Sequence, residues 1–373
     1  MEIYTERKTC ILCNGTTLTP MWDKSFEIPL GCYVVPSKDT RCDSMPFNVL
    51  KCEGCRCYQT QYLGNVDIIY NYNANCHGTI RSTMNTLFAK FICEDTKVEK
   101  IIEIGGGNGG LSDIVLESLP EVSYTIIDPT YSGNETGKIV RRDFFENIEE
   151  SSITADSIVM SHVFEHFYEP TKIMERFQRM DTIQHIFLNF PDLESYIKDD
   201  NYHVLNPEHI YYVDNDCIVQ LFKRYGFSLE KIYYHEKHSV FFKFTKIKEM
   251  VNPISLERVN PTSEIDVPAF FQRIFDRVKH IEGILDHYPT RKVYIWPCSM
   301  HTIFLFALGL DPNRIEAILD NSPHKIGQYL YGSKKPCIPF QKVFDSSEDC
   351  IVLLNGGCYN TEISKGYPHI MFI

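Results

Sequence analysis

Four cysteines near the N-terminus stand in two pairs, Cys10-Ile-Leu-Cys13 and Cys52-Glu-Gly-Cys55. This spacing puts two thiolates at each of two tight turns, which is the arrangement that a tetrahedral zinc ion requires. A redox pair is disfavoured because neither motif opens a helix within a βαβ unit. We therefore predict that Cys10, Cys13, Cys52 and Cys55 bind structural Zn²⁺, with no coordination position left for a substrate.

A glycine-rich turn, Glu103-Ile-Gly-Gly-Gly-Asn-Gly-Gly110, follows an apolar strand candidate and precedes a helix candidate. This context is typical of a nucleotide-cofactor site. Glycines such as Gly105, Gly107 and Gly109 let the backbone approach the ligand and turn tightly into the helix N-terminus. Residues 105–110 also satisfy the literal GxGxxG pattern, so NAD and S-adenosylmethionine both fit this turn.

Acidic residues around the turn distinguish the two cofactors. Glu103 lies two residues before Gly105, at the position that faces the cationic methionine end of the cofactor in methyltransferases. Asp128 ends the next strand candidate, where a carboxylate accepts hydrogen bonds from ribose hydroxyls. Further along, Asp143 is placed to read the adenine amino group, and Phe144 to pack on the adenine ring. The ordered set favours S-adenosylmethionine, and an NAD(P)-dependent sugar-nucleotide oxidoreductase is the alternative.

Composition limits the possible partners. A chain of 373 residues exceeds one ordinary domain, so we expect two or three. A formal net charge of −12 speaks against a nucleic-acid partner, because phosphate neutralisation needs clustered Lys and Arg. No apolar run of about 18 residues suggests a membrane span. The N-terminus lacks an apolar core of the signal-peptide kind, so we expect a cytoplasmic protein without disulfides.

Periodicity predicts the elements that position these residues. Residues 1–70 are rich in Cys, Pro and turn residues, so a metal ion would have to stabilise them. Residues 71–250 alternate β and α elements, which predicts a mostly parallel sheet with helices on both faces and an antiparallel hairpin at its edge. Two Asn-Pro pairs within 252–262 mark a linker. Residues 251–373 then predict a long helix and a second, smaller α/β domain, without a glycine-rich phosphate loop.

Individual elements can be assigned to both α/β regions. The strand and helix candidates of the central region are Lys100–Ile104, Tyr124–Ile127, Ser157–Ser161, His185–Phe190, Gly110–Ser118, Pro170–Met180 and Asn215–Tyr225, with the hairpin at Ser228–Tyr234 and Ser239–Lys246. Those of the C-terminal region are the helix Val267–His287 and the strands Val293–Trp296, Ala317–Asp320 and Cys350–Leu354.

With these motifs, the chain resembles the sugar C-methyltransferases of deoxysugar pathways and related methyltransferases of bacterial surface-polysaccharide clusters. The resemblance covers nearly the full length. Besides the cysteine pairs and the glycine turn, it is carried by Ser161-His-Val-Phe-Glu-His166, Asn206-Pro-Glu-His-Ile-Tyr-Tyr212, Leu319-Asp-Asn-Ser-Pro-His-Lys-Ile-Gly327 and Tyr329-Leu-Tyr-Gly332. It implies a class I (Rossmann-like) methyltransferase sheet between a small N-terminal zinc-binding domain and a C-terminal Rossmann-like domain. A nucleotide-linked sugar would lie between the central and C-terminal domains, in a monomer or homodimer.

The resemblance also implies catalytic residues. The Glu-His pair beside the nucleotide sugar is matched by Glu208 and His209, with His209 as general base and Glu208 orienting it. A second His is matched by His166, and a Tyr upstream of the first strand by Tyr72 or, failing that, Tyr70. Removing a proton next to a keto group and stabilising the enolate needs a His base and Tyr or His donors, which agrees with this set.

Two departures affect the chemistry. Pro207 stands where the sugar C-methyltransferases usually have a His, and Phe190-Pro-Asp-Leu-Glu194 replaces an acidic-Pro-Tyr type motif. Both differences resemble the polysaccharide-cluster branch, so the acceptor atom is either carbon or oxygen. An O-methyltransferase also needs a base beside a sugar hydroxyl, so His209 keeps its predicted role in both cases.

Overall fold

The computed structural model describes residues 2–23, 25–31, 34–71, 79–94, 98–201, 204–205, 207–235, 238–247, 266–346, 348–355, 367 and 369–373. Tyr72 and the predicted linker at 252–262 lie outside the described residues. No helix in the described ranges is long and apolar enough to cross a bilayer.

The N-terminal region consists of short strands in small antiparallel sheets. Its elements are β1 (Tyr4–Glu6), β2 (Leu18–Pro20), β3 (Phe26–Pro29), β4 (Val34–Val35), β5 (Ser44–Phe47), β6 (Val49–Cys52), β7 (Tyr58–Thr60), β8 (Tyr62–Gly64) and α1 (Val66–Asn71). β1 pairs with β8, β3 with β5, and β6 with both β2 and β7. Ile11 and Leu12 are buried against the central region, so this region shares a core with its neighbour.

The central region alternates helices and strands, as predicted. Its elements are α2 (Thr79–Cys93), β9 (Lys100–Ile104), α3 (Gly110–Ser118), β10 (Ser123–Ile127), β11 (Lys138–Arg141), β12 (Ser157–Ser161), α4 (Pro170–Arg179), β13 (His185–Pro191), α5 (Leu193–Lys198), β14 (Tyr211–Tyr212), α6 (Asn215–Arg224), β15 (Phe227–His235) and β16 (Ser239–Lys246). Every residue of β12 and β13 is buried, because helices cover both faces of the sheet.

The central sheet has seven strands in the order β11-β10-β9-β12-β13-β16-β15. The first five strands are parallel, and β16 runs antiparallel to both of its neighbours, which confirms the predicted edge hairpin. The strand order reverses between β9 and β12. In doubly wound sheets, ligands bind in the crevice at the carboxyl ends of the strands at such a point.

A two-residue strand connects the N-terminal and central regions. β14 pairs antiparallel with β7, and Thr60 N–H donates to the Ile210 carbonyl at 3.0 Å. The strand order of the N-terminal sheet is therefore β14-β7-β6-β2. Its strand β14 lies far beyond the predicted domain boundary at residue 70. This pairing holds the Glu208-His209 segment against the N-terminal region.

The C-terminal region contains the predicted second parallel sheet. Its elements are α7 (Val267–Asp286), β17 (Lys292–Trp296), α8 (Met300–Ala307), β18 (Ala317–Asp320), β19 (Tyr329–Leu330), β20 (Cys337–Pro339), α9 (Gln341–Phe344), β21 (Cys350–Leu354) and β22 (Ile370–Phe372). The sheet order is β20-β18-β17-β21-β22, all parallel, and β19 pairs with β4 of the N-terminal region. The buried stripe of α7, which includes Phe270 and Ile274, belongs to the hydrophobic core that unites the three regions.

Candidate active site

The turn after β9 needs its glycines. Gly105, Gly107 and Gly109 have φ values of 73°, 57° and 78°, in the left-handed region that glycine tolerates best. A Cβ on Gly105 would lie 2.3 Å from Val163 Cγ2, and one on Gly109 would lie 2.5 Å from the Tyr131 hydroxyl. The close packing on Val163 puts this turn directly against the loop that follows β12.

Asp128 shapes the same turn. Its Oδ2 accepts the Gly107 backbone N–H at 2.7 Å, and its Oδ1 accepts the backbone N–H of Thr130 at 2.7 Å. The carboxylate thus fixes the backbone at the cofactor crevice. Its predicted contact with ribose hydroxyls stays a prediction.

Glu103 is buried at the centre of the sheet, with 2% of its surface exposed. The Tyr124 hydroxyl donates to Glu103 Oε2 at 3.0 Å. Burial, followed by the charge of Glu103, raises the pKa of Tyr124 well above its usual range, so the phenol keeps the proton that it donates. Glu103 is held in place at the carboxyl end of β9, and its predicted contact with a cationic ligand stays a prediction.

Asp143 and Phe144 follow β11 on the far side of the glycine turn. Asp143 Oδ1 accepts the Phe144 N–H at 2.8 Å and the Asn147 amide at 2.7 Å. The Phe144 ring lies edge-on to Tyr70, with 6.3 Å between ring centroids. Through this contact the predicted adenine side of the crevice meets the N-terminal helix α1.

The loop after β12 carries a buried carboxylate between imidazoles. His162 has a φ of 55°, and its Nδ1 lies 3.2 Å from Glu165 Oε1. Its Nε2 lies 3.0 Å from the hydroxyl of Ser239 on β16. Glu165 is only 1% exposed. The sheet edge therefore holds the ring that flanks this carboxylate.

Two Glu-His dipeptides, 165–166 and 208–209, meet in this loop and pair crosswise. His209 Nε2 lies 3.7 Å from Glu165 Oε1, and His166 Nδ1 lies 3.6 Å from Glu208 Oε2. The two imidazole centroids are 5.0 Å apart. The carboxylate opposite the His209 Nε2 atom thus belongs to Glu165, and the orientation of His209 by Glu208 stays a prediction.

The tautomer of His209 follows from its other contact. His209 Nδ1 lies 2.8 Å from the Val204 carbonyl oxygen, which accepts hydrogen bonds and cannot donate them. Nδ1 therefore carries the proton, and in the neutral ring Nε2 keeps its lone pair. Nε2 lies 3.7 Å from Glu165 Oε1, and the negative charge of this carboxylate stabilises the ring once it is protonated.

A tyrosine completes the cluster. The Tyr70 hydroxyl lies 3.1 Å from His166 Nδ1, so α1 of the N-terminal region reaches the central site. Tyr70 was the second choice for the upstream tyrosine, and the first choice, Tyr72, lies outside the described residues. The structure brings together His166, Glu208, His209 and Tyr70 of the predicted catalytic set.

Sequence reasoning did not assign His162 and Glu165 to the site. Both lie within the motif at 161–166, and the signal that points to Glu165 is the repetition of the Glu-His dipeptide at 208–209. A repeated acid–base pair in a chain with a single cofactor turn indicates that the two copies act together.

The four predicted cysteine ligands also come together. The Sγ atoms of Cys10, Cys13, Cys52 and Cys55 all lie within 4.8 Å of one another. Tetrahedral zinc with Zn–S bonds of about 2.3 Å has S–S edges of about 3.8 Å, so this set fits the ion. Hydrogen bonds from Cys55 and Cys57 hold the pKa of the Cys10 thiol far below its usual range.

The two cysteine turns share one backbone form. Asn14 and Arg56, which directly follow the second cysteine of each pair, have φ values of 58° and 65°.

In the described part of the chain, one other group has metal-ligand spacing, with ligand atoms of Glu165, His166 and His209 within 4.8 Å of one another.

Comparison with known proteins assigns the central region. Residues 72–232 match the family described as "Methyltransferase domain". No curated protein is significantly similar to the chain. The central region is thus an S-adenosylmethionine-dependent methyltransferase domain, which confirms the predicted enzyme class and the class I sheet.

Solved structures match part of the chain at low identity. TnmH is 13% identical, with 45% of this chain and 56% of that chain covered and a TM-score of 0.36. The mitomycin 7-O-methyltransferase MmcR is 15% identical, with 44% and 54% covered and a TM-score of 0.35. RosA from Streptomyces davawensis, an N,N-8-amino-8-demethyl-D-riboflavin dimethyltransferase, is 15% identical, with 44% and 55% covered and a TM-score of 0.36. The chain spans little more than half the length of these proteins.

Proposed function

We propose that the protein transfers a methyl group from S-adenosylmethionine to a nucleotide-linked keto, amino or deoxy sugar, with His209 as general base. The observation that carries the proposal is the His209 Nε2 lone pair, fixed by the Val204 carbonyl and faced by the buried Glu165 carboxylate. It lies on a loop packed against the β12 loop, which contacts the glycine turn through Val163. The sugar-nucleotide part rests on the resemblance of the sequence motifs.

The residues suggest how the proton moves. S-adenosylmethionine supplies an electrophilic methyl group, and Glu103, the glycine turn, Asp128, Asp143 and Phe144 would hold it. His209 Nε2 takes the proton from a carbon next to a keto group or from a sugar hydroxyl. Glu165 stabilises the resulting imidazolium. The electron pair of the broken C–H or O–H bond would then form the bond to the methyl carbon as the sulfur–methyl bond breaks, and its electrons would stay on the sulfur of the departing S-adenosylhomocysteine.

Tyr70 and His166 would act on the other side of the acceptor. Their 3.1 Å contact links a hydroxyl and an imidazole that are both able to donate hydrogen bonds to a developing oxyanion. Glu208 lies beside His166 and supports a protonated ring there. This pair suits an enolate, which favours carbon as the acceptor atom, and O-methylation of a surface-polysaccharide sugar is the second candidate.

Cys10, Cys13, Cys52 and Cys55 would hold Zn²⁺ in this proposal. The ion would close two turns of a region whose strands are two to four residues long and bury little core of their own. With four sulfur ligands, it takes no part in proton or methyl transfer. Metal analysis of the purified protein should give one zinc per chain, and Cys13→Ser should lose it.

The function is tested by incubating the protein with S-adenosylmethionine and a panel of keto, amino and deoxy sugar nucleotides, and reading the products by mass spectrometry and NMR. His209→Ala should lower kcat by about 10²–10⁴-fold, the contribution of a positioned general base. Affinity for S-adenosylhomocysteine should stay unchanged.

The matched control is His287→Ala, on the exposed C-terminal end of α7, which should leave kcat unchanged. Full turnover by His209→Ala would refute the base assignment. Stabilisation of the protein by NAD and not by S-adenosylhomocysteine would favour the oxidoreductase alternative.

A further inference from the structure

The crossed Glu-His pairs contain a set of metal ligands. Ligand atoms of Glu165, His166 and His209 lie within 4.8 Å of one another. Two imidazoles and one carboxylate are a ligand set that holds zinc in catalytic sites, with the fourth position open to water. Zinc bonds of about 2.0–2.2 Å to nitrogen and oxygen place tetrahedral ligand atoms about 3.4 Å apart. His209 Nε2 lies 3.7 Å from Glu165 Oε1, so this spacing fits a single small ion.

His209 makes the contact that metal-bound histidines share. Ligating imidazoles almost always donate their second ring N–H to a carboxylate, a backbone carbonyl or water, which fixes the tautomer and the orientation of the ring. His209 Nδ1 makes this contact with the Val204 carbonyl oxygen at 2.8 Å. The Nε2 lone pair can therefore accept either a proton or a metal ion.

Hydrogen bonds hold the two ligand-bearing loops together. The Ile210 N–H, directly after His209, donates to the Glu165 carbonyl at 3.2 Å. The Tyr211 hydroxyl donates to the Phe164 carbonyl at 2.6 Å. These bonds fix the two loops relative to each other, so little conformational freedom remains to be lost when an ion binds.

The charge around the set suits a divalent cation. Glu165 is 1% exposed, and Glu208 Oε2 lies 3.6 Å from His166 Nδ1, so two carboxylates face the two imidazoles. A divalent ion would offset both negative charges, which burial makes costly. The side chains of His166 and His209 are 17% and 12% exposed, so the set can be reached from solvent.

We propose that Glu165, His166 and His209 bind a second zinc ion, and that this ion reversibly inhibits methyl transfer. Coordination through Nε2 uses the lone pair that would take the proton, so His209 cannot act as a base while the ion is bound. With three protein ligands and an open position, this ion should exchange more readily than the one predicted for the four cysteines. The inhibition rests on the proposed function, whereas the binding of the ion does not.

The binding experiment starts from the full chain, dialysed until metal analysis gives one zinc per chain. Titration calorimetry with Zn²⁺ then measures the affinity for the second ion. His166→Ala and Glu165→Gln each remove one ligand. Each should weaken this binding by at least about 100-fold, since the loss of an outer-shell partner alone costs about 10–100-fold. His287→Ala removes an exposed imidazole elsewhere and should bind as the unchanged protein does.

Co²⁺ in place of Zn²⁺ identifies the ligands. Cobalt bound by one carboxylate and two imidazoles should show d–d absorption without the thiolate-to-metal charge-transfer bands of a cysteine site. His166→Ala should abolish this absorption. If Glu165→Gln has a lowered melting temperature because Glu165 is buried, the partly exposed His166 decides the result.

Turnover of the sugar nucleotide tests the inhibition. Zn²⁺ that saturates the second site should lower kcat by about 10²–10⁴-fold, as the loss of the base would, and a chelator should restore it. The residual turnover of His166→Ala should resist the same zinc concentration. Unchanged or faster turnover with the second ion bound would overturn the inhibition.

The metal site and the proposed function can fail separately. Equal affinity for a second ion in His166→Ala, Glu165→Gln and His287→Ala, or no second ion in the unchanged protein, overturns the metal site. If the ion binds through these residues and no sugar nucleotide is methylated, the metal site stands and the proposed function fails. If methylation occurs and no second ion binds, the function stands and the metal site fails.

Discussion

The central and C-terminal regions contain parallel sheets built to one plan. In each, the first five strands along the sheet stand in the order third, second, first, fourth, fifth along the chain. In each, an aspartate at the end of the second strand accepts a backbone N–H from the loop after the first. Asp128 accepts from Gly107 at 2.7 Å, and Asp320 accepts from Cys298 at 3.1 Å.

The loops after the first strand make the difference between the sheets. The central sheet has glycines there, whereas the first strand of the C-terminal sheet ends at Trp296, which packs on Phe340 with 4.7 Å between ring centroids. Lys325 Nζ donates to the Cys298 carbonyl at 2.8 Å and to Asp320 Oδ2 at 3.0 Å. Protein side chains therefore occupy the space at the carboxyl end of β17 in the C-terminal sheet. Strand order fixes where a ligand would bind, and the loops decide whether a cofactor fits.

The largest expected effect on cofactor affinity comes from a side chain added at the glycine turn after β9. Gly105→Ala adds a Cβ that would lie 2.3 Å from Val163 Cγ2, at a backbone φ of 73°. Overpacking and left-handed strain of about 2–4 kcal/mol at this turn should weaken S-adenosylhomocysteine binding by about 30–1000-fold. Calorimetric titration measures this loss.

Gly283→Ala is the control for Gly105→Ala. It lies within α7, and no atom is within 4 Å of its added Cβ, so it should keep the affinity and raise stability by up to about 1 kcal/mol. Normal cofactor binding by Gly105→Ala would contradict the role given to this turn.

Asp128 and Asp320 hold equivalent positions in the two sheets, but Asp128 should support cofactor binding and Asp320 the stability of the fold. Asp320→Asn leaves the largely buried Lys325 ammonium without its carboxylate, so the free energy of unfolding should fall by about 3 kcal/mol, seen in urea denaturation. Asp128 forms no ion pair with any described residue, and Asp128→Asn should weaken cofactor binding with a smaller loss of stability. If Asp320→Asn reduced cofactor affinity as strongly as Asp128→Asn, the assignment of cofactor binding to the central sheet alone would be wrong.

The smallest expected effect comes from the phenylalanine after the third strand of each sheet. Phe144→Leu removes an aromatic face from the predicted adenine pocket and should lower S-adenosylhomocysteine affinity a few-fold, the value of one ring contact of about 0.5–1.5 kcal/mol. Phe340→Leu should lower the melting temperature through the lost packing on Trp296 and leave the affinity unchanged. Identical affinities for the two variants would remove Phe144 from the cofactor site.

The elements predicted best are those with strong local patterns. The strands Lys100–Ile104, Ser157–Ser161 and Cys350–Leu354 and the helix Gly110–Ser118 begin and end at the predicted residues, since short segments rich in apolar residues are bounded there by turn residues. The bounds of β11 (Lys138–Arg141) were not predicted. It is an edge strand of four residues with a basic residue at each end and no buried residue, so its apolar signal is weak.

Contacts between distant residues were beyond sequence reasoning. β14 has two residues and is a strand only because β7 pairs with it across about 150 positions of the chain. The crossed Glu-His pairs depend in turn on where β14 holds the second dipeptide. The identities of His166, Glu208 and His209 were therefore accessible from motifs, and the partner of each was not.

The pairing of β14 with β7 also determines which parts of the molecule unfold together. The loop with His209 enters β14 two residues later, and β14 is an integral strand of the sheet whose β6 ends at Cys52. The cysteine turns and the base thus belong to one cooperative unfolding unit although some 150 residues separate them in the chain. Hydrogen exchange should show amides of β6, β7 and β14 opening together, so oxidation of the thiols should loosen the loop that carries His209.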